Sequence, residues 1–423
     1  MASTARIGVF SALSIGIGGM VGGGIFAVTG LTIQLTKGAA PIAFILAGIV
    51  ALLTSYSYLK LTLKYPSAGG TVEFLNRGFG PGVFTGAMNI LLCFGYVVLL
   101  AVYAYAFAFW HHVFATGLIL LLATVNALSA DLVIRSENFF NLGKMALLAV
   151  FILAGLAMPM DWSRLSLEAY VPPLEILAGA MIIFLNYEGF ELIANAGPDI
   201  KDPKKTLPIA YFGGIAIAMV LYVLITLVVL GHMDFAEVAE HSDYALSAAA
   251  RNFMGTAGYI IVSIAALLAT SSAINATFYG SGRLTYVIAK SGELPAELER
   301  SIRGQHLEGM VIFAALALVL VNFLPLTAIA TMGSAGFLVV FLGVNLANLR
   351  LAQETESRVW ISGTGALACA IALTALCWQI WKVPETRPHL WILVAMIALS
   401  LGLEVAYRAA TKRQIHLGRG PTG

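Results

Sequence analysis

Three observations predict an all-α polytopic membrane protein with about twelve transmembrane helices. Of the 423 residues, 59% are apolar and only 11% charged, and the mean hydropathy is +0.88. Apolar windows of roughly 18 to 25 residues, the length that crosses a bilayer's hydrocarbon core, recur along the whole chain between breaks at Pro, Gly and charge. The lysines and arginines sort to alternate ends of those windows, the pattern that retained cytoplasmic loops leave.

Taken in order, the first six spans are expected at about 8–33, 39–63, 82–110, 113–130, 138–158 and 174–196. The last six are expected at about 207–231, 255–288, 309–324, 326–349, 361–381 and 389–408. The fourth and ninth are short, which leaves eleven as the alternative count. The eighth is long enough to tilt or to project into water. No cleavable signal is expected before the first span, because MASTAR carries one basic residue and the first apolar run is long and lacks a processing site.

With the N-terminus inside, all of the 24 lysines and arginines except Lys37, Arg164, Arg251, Lys382 and Arg387 fall on or toward the cytoplasmic side. Both termini are therefore expected in the cytoplasm. This bias accounts for the net charge of +2, and nucleic acid is not needed as a partner. Cys93, Cys369 and Cys377 lie inside spans without pairing or metal spacing, and the seven histidines sit at span ends or in loops. No metal or cofactor site is expected. No loop exceeds about 25 residues, too short for a soluble catalytic domain. A nucleophile with its base, a metal cluster and a GxxxxGK[ST] loop are all missing from the sequence, which argues against an enzyme or direct ATP use.

Two spans read as interrupted. GIGGMVGGGIF, residues 16–26, has glycine at six of its first nine positions. Gly18 and Gly22 alone would serve close helix packing, but glycine this dense weakens the helix itself. Bare backbone at membrane depth is tolerated where it lines a cavity or is covered by protein. The sixth span contains FLNYEGFELIANAG, residues 184–197, with Asn186, Glu188, Glu191 and Asn195 around Gly189. Carboxylates at that depth read as functional. Each weak helix opens a block of five spans, the arrangement of an inverted-repeat transporter with its site at the midplane. Half-helix N-termini suit a carboxylate and freed carbonyls suit an ammonium, so a zwitterionic amino acid matches both.

A third feature is the lysine in FFNLGKMALLAVFILAGL, residues 139–156. An unmatched lysine in hydrocarbon costs about 3 to more than 10 kcal/mol, depending on snorkelling and bilayer thinning. Lys144 stands about six residues, roughly 9 Å, into its span. From geometry alone, snorkelling to the cytoplasmic surface and a buried coupling role are equally open.

Several of these stretches resemble the amino acid permeases of the amino acid-polyamine-organocation (APC) superfamily. They are GGMVGGGIF in the first span, YPSAGGTVEFLNRGFGPGVFTGAMN (65–89), NYEGFELIANAGPDIKDPKKTLPIA (186–210) and SIAALLATSSAINATFYGSGRLTYVIAKSGELP (263–295). The likeness covers most of residues 7–350, in the family's order and spacing, and is nearest to its sodium-independent, proton-coupled, broad-specificity prokaryotic branch, which carries a lysine in the fifth helix.

The resemblance implies a LeuT-type fold in one transmembrane transporter domain, 1–423. Five helices at 7–158 and five inverted ones at 174–350 would form the repeats, helices 1 and 6 would be unwound, and 361–408 would supply two peripheral helices. It implies a secondary active transporter for amino acids at the plasma membrane, proton-coupled and sodium-independent and working by alternating access, with an amino acid/amine exchanger or a non-transporting sensor as alternatives. The substrate carboxylate would meet amides around Gly22, Gly23 and Gly24, and its amine carbonyls near Met20, Val21, Leu185 and Glu188. Gly189 would mark the second break. Tyr187, Phe190, Tyr96 and Tyr103 would gate or touch the side chain. Where sodium-coupled relatives hold a cation, Lys144 would join the Gly18 carbonyl to Ser271 or Ser272, and Glu191 is a second candidate proton carrier. Lys144 could stay charged as a fixed substitute for sodium or exchange its proton, and the resemblance leaves both open. Two departures are visible: Asp199, after Pro198, replaces a common Glu, and Glu188 stands where a small or apolar residue is commoner, which opens binding of a cationic substrate or a proton.

Overall fold

The computed structural model describes residues 7–105, 112–128, 130–290, 292, 298 and 307–411. Both termini, and with them Arg6, Lys412, Arg413 and Arg419, lie outside the described residues, as do Arg300 and Arg303.

Eight helices are long and apolar enough to cross a membrane, and two further spans are helix pairs bent at a short break. Two shorter apolar helices, Val113–Ala127 and Leu307–Phe323, stand where the short fourth and ninth spans are expected. Counted with these two, the apolar helices among the described residues equal in number the twelve spans expected from the sequence, and ten of them are long and apolar enough to cross.

The helix bounds follow local chemistry. The second span, Ala40–Lys64, opens on Pro41 in its first turn, where the missing N–H costs nothing, and closes on a lysine that suits the carbonyl end of the helix. The seventh carries Pro208, and the missing donor opens a π-helical turn over Ile209–Gly213 before the regular helix Gly214–His232 resumes. The eighth lies within Ala245–Lys290, two helices joined at a kink where Gly255 has φ 65° and ψ −156°. Only glycine adopts that conformation without strain, so the span proper starts where the sequence places it. The apolar part of the fifth, Phe140–Ala157, falls where 138–158 is expected, and its helix extends back to Ala130.

The third span, Val83–Tyr105, is the hub, with 94% of its apolar window buried; the twelfth, Arg387–Thr411, has 22% of its window buried and faces outward. The tenth span, Leu326–Arg350, packs between the third and the eleventh, Val359–Lys382, while the fifth packs along the eighth. Exposed apolar residues on the outer helices, such as Leu367, Ile371, Trp391 and Leu399, form the belt a bilayer covers.

Loop contacts divide the molecule into two ends. At one end Ile7 N–H donates to the Asp199 carbonyl (2.8 Å), Lys60 Nζ to the Glu356 carbonyl (2.8 Å) and Arg350 to the Gly78 carbonyl (3.5 Å). At the other end Lys37 bridges to Tyr170, Arg164 donates to the Leu230 carbonyl (3.1 Å), and Lys382 pairs with Glu175. Lys37, Arg164 and Lys382 are thus separated from Lys60 and Arg350 by the thickness of the bundle, as the charge sorting anticipates.

Candidate substrate and ion-coupling site

Both weak helices are broken. Val9–Met20 and Gly24–Thr36 meet at 50°, and Pro173–Ile182 meets Phe184–Asn195 at 52°. Between the first pair, Val21 leaves helical geometry (φ −81°, ψ 59°), and Gly22 N–H turns back onto the Met20 carbonyl at 2.8 Å. In the sixth span a 3-10 turn, Phe184–Tyr187, leads to an extended Glu188 and to Gly189 at φ 120°.

The breaks touch each other. A Cβ on Gly189 would stand 2.4 Å from the Gly19 carbonyl carbon, and one on Gly19 would stand 2.8 Å from Gly189 Cα. No side chain fits between these backbones. The rest of the glycine run is equally close to its neighbours: a Cβ on Gly22 would meet Ala273 (2.8 Å), one on Gly23 the Thr270 hydroxyl (2.6 Å), and one on Gly24 the Asn186 side-chain oxygen (2.5 Å). The glycines let the first span lie against the eighth, third and sixth at once.

Unwinding frees backbone groups that must find partners in a buried setting. Ser334 of the tenth span accepts from Leu185 N–H (3.1 Å) and donates to the Ile182 carbonyl (2.8 Å), closing the gap in the sixth. The Tyr222 hydroxyl of the seventh span shares its proton between the Met20 carbonyl (2.7 Å) and the Asn186 carbonyl (2.8 Å), so one group fastens both breaks. The Glu191 carboxylate accepts from Gly189 N–H (2.6 Å) and from the Tyr96 hydroxyl (3.2 Å), serving the start of the second half-helix.

Lys144 is fully buried, and its ammonium lies 3.2 Å from the Gly18 carbonyl and 3.5 Å from the Ser272 hydroxyl. It bridges the first, fifth and eighth spans and does not snorkel to the surface. Ser271, the other candidate, is buried one residue earlier, but the hydroxyl that reaches Lys144 is that of Ser272. Asn275 accepts from Asn126 of the fourth span at 2.7 Å, which places it in helix packing.

Several expected ligand groups are engaged with the protein. The Met20 carbonyl already accepts from Gly22 and Tyr222, so both its lone pairs are used. Leu185's carbonyl accepts from Glu188 N–H at 3.1 Å. Tyr187 donates to the Phe44 carbonyl of the second span (2.7 Å), and Phe190 packs among Tyr58 and Phe341 with centroids 5.3 and 5.1 Å away. Tyr103, by contrast, reaches the break: its hydroxyl lies 3.5 Å from the Gly19 carbonyl, and its ring covers Gly22.

Of two further groups beside the glycines, sequence reasoning noted Asn186 without giving it a role and missed Thr270. Asn186 is 2% exposed and Thr270 fully buried, and neither the Asn186 amide nor the Thr270 hydroxyl has a partner among the described residues. They adjoin Gly24 and Gly23 respectively. Unsatisfied polar groups at this depth make this place a candidate to receive a polar ligand. Asn186 lies in the signature stretch and Thr270 opens the TSS run, so both had a visible signal.

Two broken spans lie face to face beside eight continuous helices long enough to cross a membrane, the architecture of a polytopic membrane protein among the described residues. The chain belongs to the amino acid permease family, whose model matches residues 7–400, and it has the LeuT-type fold of the APC superfamily. It is 32% identical to the uncharacterized protein MJ0609 of Methanocaldococcus jannaschii, over 96% of each chain. It is also 32% identical to the inner membrane transport protein YbaT of Escherichia coli, over 92% of this chain and 94% of that one. Identity to the branched-chain amino acid permease BcaP of Lactococcus lactis is 26%, over 79% of each.

Proposed function

We propose that this permease is a secondary active amino acid transporter of the plasma membrane, coupled to protons and independent of sodium, with both termini in the cytoplasm. It works by alternating access between inverted five-helix repeats at 7–158 and 174–350, with 361–408 peripheral. The observation that carries this reading is the buried Lys144 ammonium between the Gly18 carbonyl and the Ser272 hydroxyl. A bound sodium ion would bring the same charge to oxygens of the first and eighth spans, so a protonated lysine removes the need for it. Loss of its proton would release Gly18 and loosen the first span, which links proton movement to helix movement.

For the substrate, the amides of Gly22, Gly23 and Gly24 at the start of a half-helix suit a carboxylate. Asn186, Thr270 and Tyr103 offer the polar side chains around it. Met20, Val21, Leu185 and Glu188 remain the candidates for the amine, with the Met20 carbonyl requiring Tyr222 to yield. Gly189, Tyr187 and Phe190 shape the second break, and Glu191 is the further proton-carrying candidate. Purified wild-type protein in liposomes should accumulate amino acids from a panel when the outside is more acid than the inside, and not under a sodium gradient. Lys144→Ala should abolish that accumulation. Sodium-driven uptake without a pH response would overturn the assignment.

A second reading, exchange of an amino acid for an amine, is favoured by Glu188, whose buried carboxylate oxygens have no hydrogen-bond partner among the described residues. Such a carboxylate would attract a cationic amine. Counterflow that accepts amines and ignores the pH gradient would support exchange.

A further inference from the structure

Asn186 is fastened at its backbone and unpaired at its side chain. Its N–H donates to the Ile183 carbonyl (3.0 Å) and its carbonyl accepts from Tyr222 (2.8 Å), so the broken sixth span fixes where the residue stands. The residue is 2% exposed, and neither Oδ1 nor Nδ2 has a hydrogen-bond partner among the described residues. Other buried asparagines show what helix packing asks of this side chain. Asn126 donates to Asn275 (2.7 Å) between the fourth and eighth spans, Asn345 accepts from Ser57 (2.7 Å) and donates to Thr54 (3.1 Å), and Asn348 donates to Ser362 (2.8 Å). Among the described residues, Asn186 is the one carboxamide whose two polar atoms are both buried and both unpaired.

Thr270 repeats the pattern on the eighth span. It is fully buried and its hydroxyl is unpaired, whereas Thr277 and Thr285 on the same helix each donate to the carbonyl four residues earlier (2.8 and 3.1 Å). Both unpaired groups meet the first turn of the half-helix Gly24–Thr36. A Cβ on Gly23 would stand 2.6 Å from Thr270 Oγ1, and one on Gly24 would stand 2.5 Å from Asn186 Oδ1. The Cα atoms of these adjacent glycines are about 3.8 Å apart, so one small molecule can reach both groups. Tyr103 and Ala273 close over Gly22 beside them, 3.2 and 2.8 Å from a Cβ there, which bounds the place with a ring and a methyl group.

The chemistry that suits Asn186 follows from its donors and acceptors. A carboxylate only accepts, so it would serve Nδ2 and leave Oδ1 bare; an ammonium only donates and would leave Nδ2 bare. Turning the amide over exchanges the two atoms and leaves the same two needs. A hydroxyl or a carboxamide donates and accepts at once and satisfies both, and the rotatable Thr270 hydroxyl can add a bond of either kind. In the proposed site the charged ends of an amino acid have backbone partners, the amides of Gly22, Gly23 and Gly24 and the carbonyls of the breaks. The group left to meet Asn186 is the substrate's side chain. We infer that this permease selects amino acids whose short side chain carries a hydroxyl or a carboxamide, with Asn186 as the specificity-determining residue and Thr270 as the second contact. The inference rests on amino acid transport through this site and adds the substrate class. An apolar side chain of the same shape would leave Asn186 buried and unpaired, which weakens productive binding by about 5- to 150-fold.

The test gives the full chain in liposomes two pairs of substrates matched in shape, threonine with valine and asparagine with leucine. Uptake efficiency, kcat/KM, should favour the polar member by about 5-fold or more. A preference in one pair alone supports the inference and names the group. Equal efficiency, or preference for the apolar member, in both pairs would overturn it, leaving Asn186 to an ordered water and amino acid transport standing. No uptake of any of the four would sink the proposed function instead. Asn186→Leu and Thr270→Val replace the unpaired groups with apolar ones of similar shape. In each variant the polar-to-apolar efficiency ratio should drop toward one, and the rise in melting temperature that the preferred substrate gives the wild-type protein in detergent should shrink. Where the leucine prevents folding, Asn186→Ala gives the same reading. A wild-type ratio in the Asn186 variant would overturn the assignment of that residue.

Discussion

At the scale of single residues, the broken helices depend on a few side chains that stand in for lost backbone partners. Tyr222 is the clearest, because its hydroxyl serves two carbonyls from two different spans. In Tyr222→Phe the Asn186 carbonyl loses the Tyr222 bond, and an unsatisfied buried acceptor costs about 1–3 kcal/mol. Melting of the detergent-solubilised variant should fall accordingly. Ser334→Ala removes the bonds to Leu185 and Ile182 and is expected to lower stability by a similar amount, about 1–3 kcal/mol, in the same melting measurement. Neither residue could be read from the sequence. A lone Tyr or Ser in an apolar span is ordinary, and only the fold brings the seventh and tenth spans to the breaks. Lys144 was legible because a charge in hydrocarbon is rare, yet whether it snorkelled depended on the first and eighth spans arriving beside it.

At the scale of elements, the sequence marked both breaks by glycine content and by the Asn and Glu residues around Gly189. It could not say that the breaks touch. The close approach of Gly19 and Gly189 makes each intolerant of a side chain, and Gly189 adds a φ of 120° that L residues rarely adopt. Gly189→Ala should destabilise by more than about 2 kcal/mol, combining overpacking with strain. Thermal unfolding together with radiolabelled substrate binding would check it; a variant with wild-type melting and binding would show that the contact yields easily. The positions of the apolar helices were legible from apolar length and from charge, and the backward extension of the fifth helix to Ala130 was not, because that stretch of sequence is polar. Tyr187 and Phe190 also lie in the signature stretch, but motif position alone does not fix side-chain direction. The structure turns one to the Phe44 carbonyl and the other into the aromatic cluster of Tyr58 and Phe341.

At the scale of the whole molecule, the two ends differ in charge as the loops do. With both termini cytoplasmic, Gln353→Cys in a background lacking Cys93, Cys369 and Cys377 should react with a membrane-impermeant maleimide only after cells are opened. Ser166→Cys should react in intact cells, and the reverse pattern would invert the orientation. The Gly19 and Gly189 contact also bears on how such a molecule moves. Two backbones that meet with nothing between them form a pivot near mid-membrane. Half-helices reaching about 15 Å from that point to either surface would swing their ends by about 2.5 Å for a tilt of roughly 10°, while the pivot itself scarcely shifts. Opening and closing would then be felt at the mouths, and the cargo would rest at the still centre of the lever.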